Sequence, residues 1–152
     1  MLEFDKNGHL FPYESITCNL EDFKNTFIDS FPNSETRFSL GKTYNQFLND
    51  LQKLELEEFF QFLNGSFVTQ KLNPKDIDIV SFIDFNKYET QEKLFKELKA
   101  HYKDLNIDCY FVKKYSEKHK YFIRYRTDML YWNDLFTKSR KRQNKGYLKI
   151  KF

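Results

Sequence analysis

Glycine and proline are scarce in this chain, 4 and 3 in 152 residues, which argues against a fibrous or low-complexity disordered protein. Cysteine is scarcer still. Cys18 and Cys109 stand far apart and outside any Cys-x-x-Cys spacing, so a zinc site and a disulfide framework are both disfavoured and a reducing compartment fits. His9, His101 and His119 share no ligand spacing, which again speaks against zinc. No apolar run approaches the roughly 18 residues a membrane helix needs. The segment Met1–Lys6 has no basic region followed by an apolar stretch, so it does not read as a signal peptide. A cytoplasmic location without a membrane partner is the expectation. Charge of one sign is lacking too: 25 Lys and Arg against 22 Asp and Glu is too balanced to declare a nucleic-acid binder.

What the chain has is aromatic mass, 18 Phe, 10 Tyr and Trp132, in a sequence of mean hydropathy -0.74. A chain of this length suits one domain, residues 1–152, burying about 68–70% of its unfolded surface without staples. Residues 1–19 read as irregular, punctuated by Gly8 and Pro12. Asn19 caps a helix from Leu20, with Phe23 and Phe27 on one face. Ser34 caps a second helix, striped by Leu40, Tyr44, Phe47, Leu48 and Leu51. Strands are expected at 57–63, 76–82 and 107–112, with a short helix at 67–71. Thr90 caps a helix over 91–102 with Leu94, Phe95 and Leu98 inward. A fourth strand at 121–125, a helix at 128–139 carrying Trp132 and Phe136 in the core, and a terminal strand at 147–152 complete the order. The pattern predicts an α/β or α+β domain, a mixed sheet flanked by helices with an N-terminal helical extension.

One stretch carries chemistry. Gly65-Ser66 is followed after nine residues by Asp76-Ile77-Asp78-Ile79. Residues two apart on a strand share a face, so Asp76 and Asp78 would be neighbours there while Ile77 and Ile79 enter the core. Two adjacent carboxylates repel unless a cation lies between them, and Mg²⁺ suits hard oxygen donors and shared phosphates. Asp108, on the next strand, would allow a second Mg²⁺ and a two-metal phosphoryl transfer. Gly65-Ser66 entering a helix would offer backbone N–H groups to phosphate, with Lys71 neutralising its charge. Taken singly, an Asp-x-Asp pair or a Gly-Ser turn is ordinary surface chemistry. Their joint strand–turn–strand–helix–strand setting gives them weight.

Gly65-Ser66, Asp76-Ile77-Asp78 and Asp108 together resemble the signature of the polymerase-beta-type nucleotidyltransferase superfamily, over about residues 57–112. The flanks resemble an uncharacterised family of small bacterial nucleotidyltransferase-like proteins, in Asn7–Pro12, Gly65–Thr69, Trp132 and Lys145-Gly146. The resemblance implies Ser66 on phosphate, Asp76 and Asp78 on the nucleotide metal, and Asp108 on a second metal and the acceptor's proton. Asn64 departs from it, standing where many relatives carry an acid.

The run Lys138–Lys145, with five basic residues in eight, offers Arg140 and Arg142 as contacts for nucleic acid or phosphate. A solvated helix end explains it equally well. The expected function is Mg²⁺-dependent transfer of a nucleoside monophosphate from an NTP, ATP above all, to a hydroxyl on a toxin-like protein or RNA, as an antitoxin or phage-defence component. The alternative is a degenerate fold that binds a toxin or RNA without chemistry. A weaker third reading is an ATP sensor. Oligomerisation is left open.

Overall fold

The structure is a computed structural model describing residues 1–152. Two short strands, β1 (Glu3–Phe4) and β2 (Leu10–Phe11), form an antiparallel hairpin. After β3 (Ser15–Thr17), the Asn19 side chain accepts the Asp22 N–H at 2.7 Å and starts α1 (Leu20–Lys24), which runs into a π-helical turn over Asn25–Asp29. Then follow α2 (Arg37–Gln52), β4 (Phe60–Asn64), β5 (Ile77–Asp84), α3 (Phe85–Thr90), α4 (Glu92–Lys103), β6 (Ile107–Lys114), α5 (Phe122–Phe136) and β7 (Tyr147–Lys151). The main sheet is mixed, in the order β3-β7-β4-β5-β6. β5 and β6 are parallel, as are β3 and β7, while β4 runs antiparallel to both its neighbours. The result is an α+β fold.

Strand alternation divides the sheet into two faces. Leu63, Ile77, Ile79, Ile83, Ile107, Cys109, Leu148 and Ile150 point into the larger core with Phe23, Phe27, Phe47, Leu51 and Phe95 from the N-terminal and α4 helices. Phe62, Val80, Phe82, Val112 and Tyr147 point the other way and are covered by Phe136 of α5, with Met129 and Trp132 beside it. Two polar side chains on the larger-core face are satisfied in series. The Tyr44 hydroxyl donates to Gln61 at 2.7 Å, and Gln61 donates to Ser81 at 2.9 Å.

Four expectations are corrected. Residues 121–125 are not a strand: α5 begins at Phe122, buries Phe136 and half-buries Tyr125, Met129 and Trp132 at helical spacing. The alternation of aromatic and basic residues at its start is a coincidence of two periods, and exposed Ile123, Leu130, Tyr131 and Leu135 on its outer face mask its amphipathicity. Thr90 caps no helix, because it ends α3, which Asp84 caps through the Asn86 N–H at 3.0 Å. Leu94 is exposed, and only Phe95 and Leu98 of its trio face inward. Finally, residues 1–19 are not irregular: they supply the β1–β2 hairpin and β3 of the main sheet, while the N-terminal helices α1 and α2 pack as one wall of the main core.

That wall is fastened by Arg37. Its side chain is fully buried with no carboxylate beside it. The guanidinium donates to the carbonyls of Phe27 (2.8 Å), Phe67 (2.7 Å), Thr69 (2.8 Å) and Lys71 (2.5 Å) and packs over the Phe31 and Phe67 rings. Burial lowers its pKa to about 10, still charged at neutral pH. Ser34 Oγ accepts the Arg37 N–H at 3.1 Å and sets the start of α2, with Asn73 reaching back to Ser34 at 3.1 Å. Removing the cation leaves several buried carbonyl oxygens without a donor. Arg37→Met should therefore cost about 3–5 kcal/mol, and Arg37→Lys should recover only part of it, in urea unfolding.

Candidate functional site

β-sheet register builds the site. In the β4–β5 ladder Asn64 lies opposite Asp78, and in the β5–β6 ladder Asp78 lies opposite Asp108. All three belong to one lateral row. They share the face of Phe62, Val80 and Val112. Asp76 lies just before β5, outside the strand and half-buried. Sequence spacing therefore placed Asp78 and Asp108 correctly on neighbouring strands. It missed that Asn64 completes the row.

Gly65 has φ 80° and ψ -172°, a combination essentially reserved for glycine. A Cβ there would meet Asp78 Oδ2 at 2.5 Å. The turn after β4 thus lies directly on the Asp78 carboxylate, and any side chain at 65 would displace one or the other. Ser66 follows, half-buried and next to this contact. The expected helix over 67–71 is reduced to a single 3₁₀ turn, Ser66–Val68, closed by the Thr69 hydroxyl on the Ser66 carbonyl at 2.6 Å. So short a turn supplies N–H groups but not the summed dipole of a long helix. Phe67 anchors it, stacked on Phe23 in the core with its carbonyl held by Arg37. Lys71 is exposed, and its carbonyl rather than its ammonium is what the fold uses.

The charges around Asp78 are uneven. Burial first, then Asp76, then Asp108 push its carboxyl up to about 6, while Lys145 and Arg140 pull it back. Lys145 is 7% exposed, and burial lowers its ammonium to about 8, with Asp78 acting in the opposite sense. The sequence marks this residue only as the end of the basic run and as part of the Lys145-Gly146 pair. Of the two arginines picked out there, Arg140 acts on Asp78, whereas Arg142 occupies the left-handed position of the turn, φ 59°. The turn itself is closed by Ser139 N–H on the Gln143 carbonyl at 2.8 Å, so the basic run is a tight loop and not a helix end. Asp108, 32% exposed on the sheet's edge strand, is 3.5 Å from the Lys103 ammonium and 3.4 Å from the Tyr110 hydroxyl.

The donor chemistry fits a hard cation such as Mg²⁺. Asp78 is charged only against the repulsion of two other carboxylates, and Asn64, 5% exposed, has a buried Oδ1 without a hydrogen-bond partner. As folded, no three acidic, His or Cys side chains are gathered tightly enough to ligate one ion. Asp76 sits off the strand, and Asp108 is paired with Lys103. Elsewhere, no helix is long and apolar enough to cross a membrane.

A mixed α+β domain with an acidic row at one sheet end is what fold and site define. The chain belongs to DUF6932, a family of unknown function, whose model matches residues 2–151. No curated protein and no solved structure matches it.

The Asp78 carboxyl carries a pH signature. Its folded pKa of about 6 lies above the ordinary 3.8, so the unfolded chain releases the proton first and stability falls as pH rises between those values. In metal-free buffer Asp78→Asn should therefore stabilise the protein near pH 7.5 by about 1–3 kcal/mol. The gain should vanish below about pH 3.8, where both forms are neutral. Urea midpoints at the two pH values measure it.

Proposed function

We propose that this protein is a Mg²⁺-dependent nucleotidyltransferase that moves a nucleoside monophosphate from a nucleoside triphosphate, ATP being the expected donor, to a hydroxyl on a protein or RNA acceptor. The observation that carries the reading is the lateral row Asn64–Asp78–Asp108 with the Gly65 backbone resting on Asp78. A surface Asp-x-Asp pair has no need of a positive-φ glycine against one carboxylate, nor of a third carboxylate in register. On this reading Asp76, Asp78 and Asp108, too loosely spaced as folded, would have to draw together to hold the metal, which when bound neutralises triphosphate charge.

The chain's own groups do the rest. Gly65 lets the backbone come close to phosphate, and the Ser66 hydroxyl donates to it. Asp108 is the member of the row on the edge strand, reachable by an incoming acceptor. The acceptor oxygen bonds to the α-phosphorus, the bond from that phosphorus to the bridging oxygen breaks, and pyrophosphate leaves. Asp108 takes the acceptor's proton. The acceptor classes, a toxin-like protein or an RNA end, would fit an antitoxin or phage-defence role.

A binding module without chemistry is the second reading. Asn64 in place of an acid and the loose spacing of the carboxylates favour it. Incubation with α-labelled ATP, Mg²⁺ and RNA or protein acceptors separates the two. Label should pass to acceptor, and Asp76→Ala with Asp78→Ala should lower the rate by at least about 100-fold. Absence of transfer, or transfer undiminished in the double variant, overturns the enzyme reading and leaves binding alone.

A further inference from the structure

Two cations are buried in this molecule, Arg37 and Lys145. They differ in one respect. Arg37 is satisfied by four carbonyl oxygens, whereas the Lys145 ammonium makes no hydrogen bond and has no carboxylate within the 4.0 Å of an ion pair. The Lys145 stem is enclosed while its unpaired ammonium reaches the surface at the end of the sheet, a cation held in place and open to an anion from solvent.

Its position says which anion. β7 pairs with β4 so that Leu148 lies opposite Leu63. Continuing that antiparallel register brings the residues before β7 to the end of β4 where Asn64 and Gly65 lie. Lys145 has the same parity as Tyr147, which packs on Phe62, so it belongs to the same sheet face as Asn64 and Asp78. The backbone there is pinned. Lys145 N–H donates to the Thr137 carbonyl at 3.0 Å and Gly146 N–H to the Leu10 carbonyl at 2.7 Å. Gly146 is packed so tightly against Pro12 and Leu10 that a Cβ would clash. The ammonium is thus carried by a rigid strand start and not by a mobile surface loop. On the same face, the buried Asn64 amide lacks a partner for Oδ1. An amide can accept as placed or, turned over, donate to an anionic oxygen.

We propose that Lys145, with Arg140 beside it and Asn64 across the row, is the anchor for the terminal phosphates of the nucleotide, and that it binds them without a metal. The proposal rests on the nucleotidyltransferase reading and moves the phosphate-neutralising role from Lys71 to Lys145. Lys145 acts here as a binding and positioning residue. Its charge meets the phosphates on the β7 side of Asp78, opposite the edge where Asp108 stands.

Equilibrium binding of ATP and of inorganic tripolyphosphate, each with excess EDTA and again with Mg²⁺, tests it. Wild type should bind both polyphosphates in EDTA. Lys145→Met should weaken that binding at least tenfold, Lys145→Arg should keep most of it, and Asp78→Asn should tighten it by removing a repelling charge. Thermal unfolding of each variant guards against loss of fold, and Arg140→Gln, on the exposed turn, serves as the milder second variant with a several-fold loss. Binding by a folded Lys145→Met protein equal to wild type overturns the anchor. So does a wild type that binds ATP only when Mg²⁺ is present, although the enzyme reading then survives. A wild type that binds ATP under neither condition overturns both.

Discussion

The guanidinium of Arg37 is the interaction on which the arrangement depends. Its donors close a space between the π-helical turn, the start of α2 and the 67–71 loop, three segments that share no ladder hydrogen bonds. A lysine would bring its donors to one point, whereas the planar fork reaches carbonyls on separate segments at once. Because the loop it grips begins at Phe67, two residues after Gly65, the same bonds that hold the helical wall on the sheet also fix the turn lying on Asp78. Stability and site geometry are coupled through one side chain far from any titrating carboxylate.

The opposite end of the site is built the other way. Around Arg37 the guanidinium's donors are all met by carbonyl oxygens. Around Asp78 three carboxylates, two cations and an amide are held close with their pairings incomplete. Proteins tolerate such local conflict where binding or chemistry needs it, and the rest of the fold must supply the stability. The two aromatic cores on either side of the sheet do so here, with Phe62 and Phe82 at 4.6 Å on one face and Phe47 and Tyr102 at 5.0 Å on the other. The Gly65 conformation belongs to the same pattern, a backbone state that only a residue without Cβ sustains against a neighbouring carboxylate.

How much of this the sequence exposes depends on the range of the interaction. Local rules succeed. Asn19 caps α1, the apolar run around Ile77 and Ile79 makes β5, and the compact β-rich stretch from Ile107 makes β6. With those two strands parallel neighbours, Asp78 and Asp108 fall in register. Elements whose faces are both apolar mislead, and α5 is the case, since exposed Ile123, Leu130 and Tyr131 hide its inward stripe. Arg37 and Lys145 are illegible for another reason. Each sits among other polar residues in the chain, and its surroundings include segments 30 or more residues away, Phe67 and Thr69 for Arg37 and Asp78 for Lys145. No window of sequence contains that information. Asn64 is intermediate: its place at the end of a strand was visible, its membership of the acidic row was not.

The mixture of charges at this end of the sheet has a consequence for any ligand that carries both phosphate and metal. Lys145 and Arg140 lower the electrostatic cost of the Asp78 charge, while Lys103 does the same for Asp108, so the carboxylates are partly neutralised by the protein itself. A phosphate that engages Lys145 competes for this neutralising charge and leaves Asp78 more exposed to the repulsion of Asp76 and Asp108. The carboxylates then attract a cation more strongly than before. By linkage the converse must hold to the same degree, since a cation on the carboxylates frees Lys145 for an anion. Asn64 sharpens this coupling, because an acid at that position would add a further negative charge beside Lys145 and hold its ammonium back from phosphate. An asparagine at 64 therefore suits a sheet end that already holds an enclosed lysine.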